Sequence, residues 1–209
     1  MPDKITIQRR KNHRVGVFVD VQNLYHSAKN LYHSRVNFGE LFKTAVADRE
    51  LVRALAYVVK SDTPEEKTFF DALEKSGFEL KVKDLQVFAG GQKKADWDVG
   101  LAVDAIALSK QLDVVVIISG DGDFIPMVEY LQFSGLIVEA MSFGRSTSGK
   151  LKEAVNNFID LDEHRKVLMR IPGVRTPSGR SGRGTKATAN DNTDMGENFM
   201  PSRTKSDEE

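Results

Sequence analysis

The most apolar run of the chain, Val114-Val115-Val116-Ile117-Ile118, is built wholly of β-branched residues and leads straight into Ser119-Gly120-Asp121-Gly122-Asp123-Phe124. An unbroken run of this kind suits a strand buried on both faces, the situation inside a parallel sheet covered by helices. The glycines beside Asp121 allow a tight exit turn with close backbone approach, so Asp121 and Asp123 belong at the carboxyl end of that strand. An earlier run, Val15-Gly16-Val17-Phe18-Val19, also ends on an acid, Asp20, followed by Val21-Gln22-Asn23. Parallel strands share one carboxyl rim, and open α/β sheets bind their ligands in the crevice outside it. The pattern therefore predicts that acids from distant positions converge at one edge.

Strand-like and helix-like segments alternate from about residue 14 to about 161, the signature of βαβ units. Leu51 to Val59, Phe78 to Val82 and Leu136 to Met141 read as further strands, and Phe158 to Leu161 as an edge strand. Helices are expected after Asp20, after Asn37 with Glu40 closing a capping box, and from Thr63-Pro64-Glu65-Glu66, where Thr63 caps and Pro64 takes the first helical position. Three more are expected over Trp97 to Gln111, Phe124 to Phe133 and Ser148 to Val155. Right-handed crossovers turn this order into a three-layer α/β/α sandwich around a mostly parallel central sheet. The domain plan is a basic arm over residues 1–13, one α/β domain over 14–165, and a disordered tail rich in Gly, Ser and charge over 172–209.

Composition narrows the function classes. No apolar stretch approaches the roughly 20 residues that span a bilayer, and the first 14 residues are polar and basic, so a cytoplasmic protein is expected. The absence of cysteine removes disulfides, thiolate zinc sites and cysteine nucleophiles, leaving oxygen or histidine to hold any metal. Thirty basic and thirty acidic residues cancel, so only local clusters can speak for a polyanionic partner. Such clusters are Arg9, Arg10, Lys11 and Arg14, then Lys93-Lys94, then Arg175, Arg180, Arg183 and Lys186, each of which also suits plain solvated surface. His13, His26 and His33 lack metal-ligand spacing, and Ser119 lacks the nucleophile-elbow context. No Gly-x-Gly-x-x-Gly follows the first strand and no Walker lysine loop exists, which disfavours a nucleotide cofactor.

The acids to weigh are Asp20, Asp96, Asp98, Asp104, Asp121 and Asp123. Asp98 falls in the first turn of the helix that feeds the Val114 strand, and the amino end of such a helix lies near the carboxyl rim. Asp104, six residues on, is rotated about 120° away and is the weaker candidate. Asp20 or Asp123 also fits a helix cap or Asx turn with no further role. Carboxylates gathered within a few ångströms repel, so some protonate or a cation sits among them. An all-oxygen donor set matches Mg²⁺ or Mn²⁺, in one copy or two, and such ions support phosphodiester hydrolysis.

Val17-Phe18-Val19-Asp20-Val21-Gln22-Asn23-Leu24, Lys94-Ala95-Asp96-Trp97-Asp98-Val99-Gly100-Leu101-Ala102-Val103-Asp104 and Ile118-Ser119-Gly120-Asp121-Gly122-Asp123-Phe124-Ile125-Pro126 together resemble the NYN domain of the LabA-like branch, a relative of the PIN nucleases. The resemblance runs over about residues 14 to 161 and keeps the family's motif order. It implies a PIN-like α/β/α fold and a metal-dependent ribonuclease whose metal ligands map onto Asp20, Asp98, Asp121 and Asp123, with Asn23 and Ser119 orienting ligands or water. Asp96, between the lysine and Asp98, departs from simpler NYN patterns and leaves the choice between those two acids open. The leading expectation is a Mg²⁺/Mn²⁺-dependent endoribonuclease acting on single-stranded or structured RNA. Lys94, Arg145 and Lys150 contact phosphates in that reading, the last two because the Gly144-to-Gly149 loop follows a strand end. A catalytically silent RNA-binding module is the first alternative, and a metal-dependent nucleotide phosphatase the second. Trp97, Phe124 and Tyr25 are candidates for base stacking or for the core, and Leu31-Tyr32 with the edge strand near Ile159 for contacts in a homodimer.

Overall fold

The structure is a computed structural model that describes residues 10–60, 63–87, 93–94 and 96–170. The chain opens with β1 (Arg14–Asp20), α1 (Val21–Tyr32), β2 (Ser34–Val36), α2 (Phe38–Val46), β3 (Glu50–Lys60), α3 (Pro64–Lys75) and β4 (Glu79–Asp84). A small antiparallel pair, β5 (Gln86–Val87) and β6 (Lys93–Lys94), precedes α4 (Asp98–Leu108). Then come β7 (Val114–Ile118), α5 (Ile125–Phe133), β8 (Ile137–Ser142), α6 (Gly149–Ala154), β9 (Asn157–Asp160) and β10 (Leu168–Arg170).

Six strands form one sheet in the order β4-β3-β1-β7-β8-β9, and every neighbouring pair in it is parallel. The chain moves outward from β1 through β3 to β4, then returns to lay β7 on the other side of β1. The crevice between β1 and β7 is thus the topological switch point, where α/β sheets bind ligands. The register runs from Val15 opposite Val114 to Val19 opposite Ile118, which sets Asp20 and Ser119 at the same height on the rim.

Strand alternation explains the two cores. Val15, Val17, Val19, Val114, Val116 and Ile118 face one layer, where Leu24 and Ala28 of α1, Leu41 and Ala45 of α2 and Leu73 of α3 pack on them. Phe18, Val115 and Ile117 face the other, against Leu101 of α4, Val128 and Leu131 of α5 and Leu151 of α6. All five residues of β7 are buried, so a β-branched run with no polar alternation is what this position requires.

Local signals set most of the helix ends. The Asn37 side chain accepts the Glu40 amide at 3.2 Å, but Glu40 does not close the expected box: the Asn37 amide donates to Val167 O at 2.7 Å and the Glu40 carboxylate accepts from Lys43. Thr63 makes no side-chain cap bond, so α3 starts on Pro64 alone. Gly77 and Gly135, at φ +102° and +89°, take the left-handed conformation that follows α3 and α5. Lys93 and Lys94, expected in a loop, form β6 instead. Packing also continues past residue 165, because β10 pairs antiparallel with β2 and Val167 is buried in the first core. Arg9 and the expected tail over 172–209 lie outside the described residues.

Candidate metal centre

Asp20 ends β1 and caps α1: its Oδ1 accepts the Asn23 amide at 3.0 Å, while its Oδ2 faces the Ser119 hydroxyl at 3.3 Å. Ser119, fully buried at the exit of β7, in turn accepts the Asp121 amide on its Oγ at 3.2 Å. Asn23 reaches across the same crevice, its Oδ1 accepting the Gly120 amide at 3.0 Å. Two strand exits, about a hundred residues apart in sequence, are therefore stitched together by one side-chain to backbone bond, Asn23 to Gly120, and one between side chains, Ser119 to Asp20. The cap role and the rim position of Asp20 coexist: one carboxylate oxygen serves each.

Asp121 repeats the device one turn on. Its Oδ1 accepts the Asp123 amide at 3.0 Å and caps a 3-10 turn over Gly122–Phe124. Asp98 is the first residue of α4, whose amino end meets the rim beside this turn. The result is a cluster in which carboxylate oxygens of Asp98, Asp121 and Asp123 all lie within 4.8 Å of one another, the first two half-buried and the third exposed. Like charges at that separation repel by about 3 kcal/mol per pair at an effective dielectric constant of ~20, before salt screening. Three donors of this type form an oxygen-only set open to solvent on one side, which fits a hard divalent cation that keeps several waters.

The loop after β8 walls the cluster. The Ser148 amide donates to Gly120 O at 2.9 Å, and a Cβ at Gly120 would stand 2.9 Å from Ser146 O, so only glycine allows this approach. Arg145 lies in a 3-10 turn of that loop, 69% exposed, and Lys150 is exposed on α6. Lys94 sits on β6, with its side chain outside the described residues. Asp104 is turned away to Tyr57, which donates to it at 3.0 Å, and to Lys81 at 3.3 Å; burial, then the Asp104 charge, pushes the Tyr57 phenol up. Asp96 engages through its backbone, its carbonyl oxygen accepting from Lys83.

The aromatic candidates are built into the protein. Trp97 donates its indole N–H to Val58 O at 2.9 Å and lies 5.4 Å from the Tyr57 ring. Phe124 is 2% exposed in the second core, and Tyr25 packs against the first. Tyr32, singled out from the sequence only as a dimer contact, converges with Asp160 and Asp162, which the sequence did not single out, beside Arg145: Tyr32 donates its hydroxyl to Asp162, and Arg145 Nε lies 3.7 Å from the Asp162 carboxylate. Burial, then the bond to Asp162, pushes the Tyr32 phenol up to about 12. The strand-end logic applied to Asp20 applies equally to Asp160-Leu161-Asp162, which closes an edge strand.

The sequence model of the NYN domain matches residues 14–162, nearly the whole described region. This chain belongs to the NYN domain family. The curated relative Low amplitude and bright protein LabA, from Synechococcus elongatus (strain ATCC 33912 / PCC 7942 / FACHB-805), is 29% identical over 125 residues, covering 57% of this chain and 67% of LabA. The crystal structure of VPA0982, a protein of unknown function from Vibrio parahaemolyticus RIMD 2210633, is similar with a TM-score of 0.71 and 32% identity, covering 78% of this chain and 100% of that one. The wholly parallel six-stranded sheet of this NYN domain agrees with the PIN-like α/β/α architecture, and membership connects the chain with nuclease-related, RNA-related proteins. Among the described residues no helix is long and apolar enough to cross a membrane.

Proposed function

We propose that this NYN domain is a metal-dependent endoribonuclease that hydrolyses RNA phosphodiester bonds at the β1/β7 crevice. The observation that carries the reading is the triple approach of Asp98, Asp121 and Asp123 at the switch point, where carboxylate oxygens within 4.8 Å of one another offer a divalent cation a ready donor set. Asp98, Asp121 and Asp123 hold Mg²⁺ or Mn²⁺, with Asp20 contributing from beside Ser119. When bound, such an ion lowers the pKa of a coordinated water and offsets charge building on the phosphate oxygens.

The remaining residues position. Asn23 and Ser119 fix the two exit turns relative to each other, so the acids keep their spacing without help from the substrate. Lys94, Arg145 and Lys150 contact phosphates on either side of the cleaved bond. RNA is the partner, met in the cytoplasm. Leu31 and Tyr32, the candidate contacts of a homodimer, are partly buried against the protein's own core.

The test incubates purified protein with labelled RNA and Mn²⁺ or Mg²⁺, beside EDTA and an Asp121→Asn variant. Cleavage lost in both controls supports the nuclease. Binding without metal-dependent cleavage supports a silent RNA-binding module, and hydrolysis of nucleotides but not polymers a phosphatase; either outcome removes the proposal.

A further inference from the structure

Arg145 is an exposed cation held in place by three chain segments. Its turn is fixed from below by Asp160, whose Oδ1 accepts both the Gly144 amide and the Asp162 amide at 2.9 Å. A Cβ at Gly144 would lie 2.1 Å from Asp160 Oδ2, so a side chain there would push the Asp160 carboxylate away from the amides it holds. From one side Asp162 faces the guanidinium, and Tyr32, at the end of α1, places its ring 5.8 Å from it while bonding the same Asp162. From the other side Ser146 Oγ meets Ser27 Oγ at 2.9 Å, and the Ser148 amide joins the turn to Gly120 in the acid loop. The guanidinium fork remains open to solvent with its orientation set in advance, the arrangement that favours an anion with two oxygens to offer.

Its position separates it from the acids. Asp121 follows β7, whereas Asp162 follows β9, two strands further along the sheet. Two strand spacings amount to roughly 10 Å, which sets the Asp162 end of the rim apart from the strand exit that carries Asp121 and Asp123. We propose that Arg145, positioned by Tyr32 and Asp162, is a second phosphate subsite that grips the RNA chain away from the cleaved bond. The inference rests on the nuclease reading above and deepens it: the substrate class becomes a polymer that lies across the rim, and a mononucleotide, with one phosphate site to fill, is a poor ligand.

Binding without cleavage tests this. A short 5′-labelled single-stranded RNA is titrated with full-length protein in EDTA, by fluorescence anisotropy over a range of salt. R145Q is expected to weaken binding about five- to tenfold and to lower the salt slope by roughly 0.7, one single-strand phosphate contact. D162N and Y32F are expected to weaken binding about two- to threefold with the slope unchanged, since the cation stays but loses its aim. D162N is the sharper variant. It removes a negative charge beside an anion site, so unguided electrostatics makes RNA bind more tightly and only lost positioning makes it bind more weakly. Wild-type affinity and slope in R145Q overturn the subsite, and tighter binding in D162N overturns the positioning role. RNA binding that follows these expectations in a protein showing no metal-dependent cleavage ends the nuclease reading while keeping the subsite.

Discussion

Glu139 inside β8 and Asp121 at the exit of β7 lie on adjacent strands, yet their charges meet opposite surroundings. Glu139 and Arg49 have side chains 1% and 0% exposed, with Arg49 Nη1 3.1 Å from Glu139 Oε2. Hydrogen bonds surround that ion pair: Arg49 Nε and Nη2 donate to Val46 O and Ala45 O in the last turn of α2, and Asn157 Nδ2 donates to Glu139 Oε1 at 3.0 Å. A cation at a helix carboxyl end and a carboxylate with a second donor make a closed unit. At the rim, by contrast, three carboxylates are brought together, and backbone amides help to set their geometry: Asp121 donates to Ser119 Oγ and Asp123 to Asp121 Oδ1. The sheet buries a matched pair where water is excluded and gathers carboxylates where a ligand can enter.

The difference predicts that the two regions fail in different currencies. Asp121→Asn, with Asp98→Asn and Asp123→Asn behaving alike, is expected to lower metal-dependent RNA cleavage by about 10²–10⁴-fold, while unfolding in urea stays within about 1 kcal/mol of wild type or shifts toward greater stability. Rate constants with saturating Mn²⁺, set beside denaturation midpoints, check both halves. A large loss of stability in all three would mean that the cluster is structural. Arg49→Met should do the reverse, costing about 3–5 kcal/mol by stranding Glu139 in the core. The Arg49→Met/Glu139→Met double variant should recover most of that loss, because two apolar side chains replace a pair whose desolvation offsets much of its attraction. A double variant as unstable as the single one would show that the pair is held for its hydrogen bonds and not its charge balance.

The two regions also differ in how far the sequence announces them. The rim was legible because its parts are local: a strand buried on both faces has a recognisable composition, glycine marks the exit, and topology alone brings parallel strand ends together. The choice between Asp96 and Asp98 was not, since it depends on where α4 begins. With Asp98 as the first helical residue rather than Trp97, each side chain is set by about 100° of rotation per position, and that rotation puts Asp104 on Tyr57. The Arg49–Glu139 pair left no trace, because Glu139 sits in a stretch that otherwise reads as an apolar strand, and its partner is ninety residues away with no period linking them. The two three-residue strands β2 and β10 are too short for alternation to register. Thr63 shows the opposite error, a cap signal whose side chain makes no cap bond.

Metal titration sharpens the contrast. A ligand that binds only the folded protein stabilises it by about 2.7 kcal/mol at a hundred times its dissociation constant, which for a domain of this size raises the melting temperature by several degrees. Mn²⁺ should produce that shift in wild type, and also in the Arg49→Met/Glu139→Met variant. Asp121→Asn should lose at least half of it. An equal shift in wild type and Asp121→Asn would place the ion elsewhere and dissolve the distinction drawn between the two regions.

The smallest effect is expected where a pair is closed but wet. At the opposite, amino-terminal edge of the sheet Arg14 donates to Asp113 from its amide at 2.8 Å, from Nε at 3.1 Å and from Nη2 at 2.8 Å, and the Asp113 side chain is 36% exposed. The bonds from Arg14, first the side chain and then the amide, hold the Asp113 carboxyl down at about 2, against an ordinary value of 3.8. A carboxyl whose folded pKa lies below its unfolded one contributes stability that is complete above pH 3.8 and fades as the pH falls through about 2. Solvent screening of so exposed a pair reduces the contribution to about 1 kcal/mol or less. Asp113→Asn should therefore lower stability by that amount at pH 7 and leave it level with wild type near pH 2, as read from urea midpoints across the range. A loss that persists undiminished at the acid end would mean that Asp113 works through something other than its charge, and the line between wet and dry pairs would have to be redrawn.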